Sequence, residues 1–275
     1  MRIQRSAAAL IAFYAFFAYI FGVSAAATPK TKPAGGKGTI AGRVVLKDGG
    51  PMAGGQVIFF NAKTGPVPEI TKYERTPDTV RDLDEEGRFS VDLPPGRYYL
   101  GAVKRVSGET IGPPAEGDYV WRSADKKGRP RAYTVRAGQR IDTGTSEAVQ
   151  LNPEVLANRP NETTIEGTMI DMEGRPVAEA VVVAFESPSL KAKPVFISEK
   201  TDKAGRYLLR VSEGTYYLRA RNAFTSGPPE PGQIMGFYGE SSSAPVMIKK
   251  GERKNDVNFR VVLFPGRGPF SGDTK

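Results

Sequence analysis

The sequence predicts an all-β chain, two tandem seven-stranded β-sandwiches behind an N-terminal apolar leader. Three observations predict it. Apolar residues recur with period two, Gly and Pro clusters break those runs at short intervals, and the second half of the chain repeats the motifs of the first.

The leader comes first. Arg2 and Arg5 precede an apolar run from Ala7 to Val23, and Ser24, Ala25, Ala26 and Ala27 follow. A charged start, an apolar middle and a small-residue end are the parts of a secretory signal peptide. Residues 1–27 are therefore expected to be a signal helix cut after one of Ala25 to Ala27. The alternative is a helix kept as an anchor, since the run is at the short edge of what spans a bilayer. Residues 28–37, rich in Pro, Gly and Lys, read as a flexible tether.

Composition then limits the chemistry. The chain has no Cys, which excludes disulfides, thiolate zinc sites and lipid attachment through a cysteine. It has no His, which removes the commonest metal ligand and the commonest neutral-pH base. An exported protein without disulfides must take its stability from buried core. The net charge of +9 is spread along the chain, densest at Lys126, Lys127, Arg129 and Arg131. Such a surplus suits anionic surfaces in general, and nucleic acid is not expected as a partner.

The repeat sets the boundaries. Thr39-Ile40-Ala41-Gly42 recurs as Thr164-Ile165-Glu166-Gly167, and Asp84-Glu85-Glu86-Gly87-Arg88-Phe89 as Asp202-Lys203-Ala204-Gly205-Arg206-Tyr207. Gly96-Arg97-Tyr98-Tyr99-Leu100 recurs as Gly214-Thr215-Tyr216-Tyr217-Leu218, Gly112-Pro113-Pro114 as Gly227-Pro228-Pro229, and Val135–Gln139 as Ile248–Glu252. The offset falls from 125 to 113, so the first copy is longer in its middle and late loops. The expected division is a first domain at 38–151, a linker at 152–162 with two prolines, a second domain at 163–264 and a tail at 265–275.

Each strand follows from its pattern. Ile40, Val44 and Leu46 alternate with polar or small residues; so do Phe89, Val91 and Leu93, and their counterparts Tyr207, Leu209 and Val211. Val57–Phe60 and Val181–Phe185 have no polar break, as expected of central strands. Val257, Phe259, Val261 and Leu263 close the second copy. By alternation, Tyr98 and Tyr216 face a core while Tyr99 and Tyr217 face away from it.

The order of motifs is a first strand with Gly, then Asp-x-x-Gly-x-Pro, Asp-x-x-Gly-Arg-aromatic and Gly-x-Tyr-x-Leu. The second copy shows all of them: Ile165–Gly167, Asp171–Pro176, Asp202–Tyr207 and Gly214–Leu218. In this each copy resembles the carboxypeptidase regulatory-like domain. The resemblance implies a seven-stranded, Ig-like or transthyretin-like sandwich of exported bacterial proteins, and it covers nearly the whole chain after the tether. It implies little about function, because such sandwiches serve as spacers, binders or docking surfaces. The first copy departs from the pattern in its compressed Asp48-Gly49-Gly50-Pro51 turn and in the Thr64–Arg81 insertion.

Catalysis finds no support. The zinc of metallocarboxypeptidases needs His, and so do the hydrolases and dioxygenases of related folds. A serine nucleophile at Ser241-Ser242-Ser243 would have only Lys249 and Lys250 nearby as bases. Asp82, Asp84 and Glu86 before Gly87 could offer oxygen ligands to Ca²⁺, but a turn capped by Asp with Gly at positive φ explains the same residues. The late loops hold aromatic residues in both copies, around Gly117–Ser123 and Gly232–Ser241. Tyr119, Trp121, Phe237 and Tyr238 are the candidate ligand platform. The Gly-Pro-Pro loops are expected to be stiff connections.

The chain is thus expected to be a non-catalytic protein-interaction or structural module of the bacterial cell envelope, without a cofactor. Its location would be the periplasm, the outer surface or the medium. The alternative is a carbohydrate-binding module that uses the loop aromatics. The expected partner is an envelope or surface protein, or a polysaccharide, and the mature chain is not expected to span a membrane.

Overall fold

In the computed structural model of the chain, which describes residues 36–69, 72–108, 111–154, 163–223, 230–240 and 242–265, the described part is β-sheet throughout apart from one helical turn at Pro153 and Glu154. The leader, most of the tether, residues 155–162 of the linker and residues 266–275 of the tail lie outside the described residues.

The first repeat forms β1 (Gly38–Leu46), β2 (Gln56–Asn61), β3 (Thr79–Asp82), β4 (Arg88–Leu93), β5 (Gly96–Lys104), β6 (Tyr119–Arg122), β7 (Ala132–Val135) and β8 (Arg140–Gln150). One layer has the order β4-β1-β8 and the other β3-β2-β5-β6, with β7 also on β5. β8 joins the layers, because its first part runs parallel to β1 and its last two residues pair with β6. The strands number eight in this repeat, one more than expected.

The second repeat forms β9 (Thr164–Ile170), β10 (Val181–Phe185), β11 (Pro194–Ile197), β12 (Arg206–Arg210), β13 (Gly214–Arg221), β14 (Ile234–Phe237), β15 (Pro245–Ile248), β16 (Arg253–Lys254), β17 (Phe259–Arg260) and β18 (Val262–Leu263). Its pairings copy those of the first: β12-β9 with β16 and β17 parallel to β9, and β11-β10-β13-β14 with β15 on β13. The difference lies at the end, where three short strands replace the continuous β8. The break falls at Asp256, a non-glycine residue with φ of 60°. In β8 the irregularity is milder, a bulge at Gly144 with φ of 71°.

The turn motif recurs four times, as Asp84–Arg88, Asp125–Arg129, Asp171–Arg175 and Asp202–Arg206. In each, the Asp Oδ1 accepts the backbone N–H groups two and four residues on. The Gly between them takes φ of 72° to 81°, which costs least without a Cβ. In three of the four the Arg Nε also reaches the Asp Oδ2 at 2.7–2.8 Å. The densest basic stretch of the sequence sits on the second of these turns, at Asp125–Arg129.

Gly42 and Gly167 answer a different need. A Cβ on Gly167 would run into the Val257 carbonyl, and one on Gly42 into the Thr143 hydroxyl and the Phe89 ring. At Gly167 the late segment of the repeat approaches backbone to backbone, whereas at Gly42 side chains lie against the glycine.

Two cores result. One gathers Ile40, Val44, Phe59, Val91, Leu93, Tyr98 and Leu100. The other gathers Ile165, Met169, Phe196, Leu209, Tyr216, Leu218 and Phe259. The alternating positions predicted to face inward are buried, except Leu46, which is partly buried, and Leu263, which is about half exposed at the end of β18.

The two repeats belong to one compact body, and the Thr64–Arg81 insertion is one tie between them. The Thr76 N–H donates to the Val195 carbonyl and the Ile197 N–H to the Glu74 carbonyl, so the insertion lies as an added strand on the edge of β11. Tyr73 enters the second core. Arg75, 4% exposed, holds the insertion's shape by donating to the Pro66 and Asn61 carbonyls, the Thr64 hydroxyl and the Asp78 carboxylate. Burial pushes the guanidinium pKa down, and Asp78 opposes that push.

Candidate functional site

The candidate functional surface is built on the outer face of the sheet β11-β10-β13-β14-β18. In β13 the inward residues are Tyr216, Leu218 and Ala220. Period two then turns Tyr217, Arg219 and Arg221 outward. Register carries the same face across the sheet: Phe185 lies opposite Tyr217, Val183 and Phe237 opposite Arg219, Val181 opposite Arg221 and Val262 opposite Met235.

An antiparallel sheet with one solvated face usually shows polar residues there. This face is mainly apolar, with Arg219 and Arg221 set among the apolar residues, and one half of it is covered. Ile111 of the first repeat packs on Val181, Val183 and Ile197, so β10 is buried on both sides and carries no polar residue. The covering loop is held by Asp118. Its carboxylate is wholly buried and accepts the N–H groups of Val106, Ser107 and Ala115 at 2.8–3.0 Å. Burial opposes the charge on Asp118, yet these donors outweigh it and hold the carboxyl below its ordinary pKa. Arg105 reaches the same carboxylate and also the carbonyls of Gly112 and Pro113. That Gly-Pro-Pro segment is therefore a tied connection; the second, at 227–229, lies outside the described residues.

The other half of the face is open. Met235, Phe237, Tyr238 and Val262 line a groove of about 1130 Å³ with Met172, Leu190, Arg219, Arg221 and Arg260. Met172, Leu190, Met235, Phe237 and Val262 are all exposed. Arg219 is largely buried, its guanidinium 4.3 Å from the Phe185 ring centre and donating to the carbonyls of Pro188 and Ser189.

The four candidate platform residues are not gathered in one place. Phe237 and Tyr238 share the groove, whereas Tyr119 and Trp121 belong to the first repeat and pack against its core. Tyr238 packs inward as well, its ring 6.1 Å from that of Phe259. The late loops do correspond: Gly117 and Gly232 bond the carbonyls of Leu151 and Phe264, and Ser123 and Tyr238 those of Leu100 and Leu218. This register aligns Trp121 with Gly236 and Arg122 with Phe237. In the second repeat, Val261 fills the space beside Gly236 that a side chain would need.

The remaining candidates are engaged elsewhere. The Asp84 carboxylate is taken up by its turn, and Asp82 accepts from Gln56. Among the described residues no group of three or more Asp or Glu side chains could hold a metal ion. Ser241 lies outside the described residues, and Ser243 Oγ has no hydrogen-bond partner, so no base is placed on it. No helix of the described residues is long and apolar enough to cross a membrane. Sequence reasoning missed Met172, Leu190, Met235, Arg219 and Arg221. The signal for the two arginines was present, since they alternate with the inward apolar residues of β13.

No family model matches the chain, and no curated protein does. Among solved structures it is similar to the TIE protein of Bacillus anthracis, with 16% identity, TM-score 0.26, and 82% of this chain and 34% of that one covered. It is also similar to a streptococcal ancillary pilin, with 17% identity, TM-score 0.25 and coverage of 82% and 62%. A third is the shaft pilin of Lactobacillus rhamnosus GG, with 11% identity, TM-score 0.22 and coverage of 85% and 99%. The chain spans about a third of the first of these and under two thirds of the second.

Proposed function

We propose that this chain is an exported, non-catalytic module that binds another macromolecule of the cell envelope through the outer face of its second repeat. The observation that carries the reading is the half-open apolar face. The groove around Phe237 remains exposed while the adjoining half of the same face is covered by the first repeat. Contiguous exposed apolar surface of this kind marks interaction sites on soluble domains. The groove's volume of about 1130 Å³ also exceeds the roughly 300–1,000 Å³ usual for small-molecule pockets. Non-catalytic action agrees with the lack of His and Cys in the chain. The leader read as a signal peptide at 1–27 and the resemblance to carboxypeptidase regulatory-like domains support an envelope location.

A photo-crosslinking residue placed at Phe237, compared with one at the exposed Lys203, tests this in intact cells. The expected result is a discrete adduct at 237 and none at 203. Equal labelling at both positions, or none at either, overturns the proposal.

A further inference from the structure

Resting on that reading, we infer that the groove takes an extended polypeptide segment that carries carboxylates among apolar side chains. The argument begins with charge. Arg219, Arg221 and Arg260 line the groove against the single carboxylate of Glu240. None of the three arginines makes an ion pair among the described residues. Among the described residues, Arg221 donates only to the carbonyl of its neighbour Ala220. A partly buried cation without a counter-ion is costly, and an incoming carboxylate relieves that cost. The pKa of Arg221 agrees, pushed down by burial and then by the nearby Arg219.

The floor decides between a polypeptide and a glycan. Sugar rings are held on exposed flat aromatic faces, and here Phe237 offers one while Tyr238 is packed against Phe259. The rest of the floor is Met172, Leu190, Met235 and Val262, thioether and aliphatic groups that suit apolar side chains. The edge supports an extended form. β18 is the outer strand of its sheet among the described residues, and both Val262 and Leu263 are about half exposed. An added strand there would gain backbone hydrogen bonds and lay alternate side chains onto the floor. The covered half of the face shows that it accepts such packing, since Ile111 already sits on its other end.

A random dodecapeptide display library, panned on the full chain, tests the inference; the enriched peptides are then synthesised and titrated. The expected consensus alternates apolar residues with Asp or Glu. Its affinity is expected to fall at least tenfold with Arg260→Glu and with Phe237→Ser, to hold with Lys203→Glu, and to weaken as salt rises. Arg260 and Phe237 are exposed, so these variants keep the fold; thermal melts verify that. A consensus without acidic residues that still depends on Phe237 overturns the inference and leaves the docking face standing. The same holds if no peptide is enriched but polygalacturonate raises the melting temperature of the parent and not of Phe237→Ser. If neither binds, the inference and the proposed docking face fail together.

Discussion

Tyr73 of the first repeat lies edge-on to Phe196 of the second, with ring centres 5.1 Å apart and planes inclined by 66°. Phe196 in turn meets Tyr216 at 5.6 Å, so one aromatic stack runs from the insertion into the second core. β11 would otherwise be an edge strand with unpaired backbone groups. The insertion pairs with that backbone while Tyr73 closes the side of the core. Two sandwiches with the same topology are thus joined by a segment that only the first possesses, together with the Ile111 loop on β10.

Removing the plug should be costly. Tyr73→Ala is expected to destabilise the protein by about 3–5 kcal/mol, as large-to-small aromatic changes in cores do. Tyr73→Phe loses only the hydrogen bond to the Val67 carbonyl and should cost about 1 kcal/mol. Urea denaturation measures both. Hydrogen exchange at the Thr76 and Ile197 amides should quicken in Tyr73→Ala, because those groups pair across the repeats.

The same phenol gives an alkaline signature. Burial, helped by the Glu69 carboxylate, pushes the Tyr73 pKa from 10.0 up to about 12. Its contribution is therefore complete below pH 10 and lost as pH rises toward 12. The difference in urea midpoint between the parent and Tyr73→Phe should narrow across that interval; a constant difference would mean the ring is not buried as described.

Asp118 gives the acid counterpart. Its folded pKa is depressed, so its contribution is present above the ordinary carboxylate range and lost as pH falls through the folded value. Asp118→Asn should lower stability at neutral pH and flatten the fall in stability on acidification below about pH 4. Because the carboxylate holds the loop that carries Ile111, exchange at the Val181 and Val183 amides should also rise.

Arg75 and Asp78 form a buried pair 3.3 Å apart. Arg75→Met removes the counter-charge of the Asp78 carboxylate, which keeps only the neutral donors Asn61 N–H and Thr64 hydroxyl, and the donor to the Pro66 carbonyl; it is expected to cost about 3–5 kcal/mol. Arg75→Met with Asp78→Asn should cost less than the two single changes together, since the stranded charge is gone. A double-mutant cycle by denaturant unfolding checks this.

Two equivalent glycines should respond unequally. Gly167→Ala meets the Val257 backbone, which cannot step aside, whereas Gly42→Ala meets side chains of Thr143 and Phe89 that can. Both should destabilise, in the range of about 1–3 kcal/mol for overpacking, with Gly167→Ala the larger. Equal melting temperatures for the two variants would refute this reading of the two contacts.

What the sequence determined by itself is local and periodic. The strand positions, the inward choice of Tyr98 and Tyr216 and the Asp-x-x-Gly turns depend on residues a few places apart, where alternation and φ preference act directly. The duplication was legible because the same local rules are written twice. Tertiary structure decided the rest. Thr64–Arg81 reads only as extra length until β11 is seen to offer it an edge. Trp121 and Phe237 read as members of one candidate platform, yet they stand one position out of step on corresponding strands, which sends one inward and the other outward, since side chains alternate faces. The groove likewise joins Met172, Leu190, Arg221 and Val262, far apart in the chain, and no local rule links them. A surface that binds is a property of which faces are left uncovered, and that is settled only when both repeats are in place.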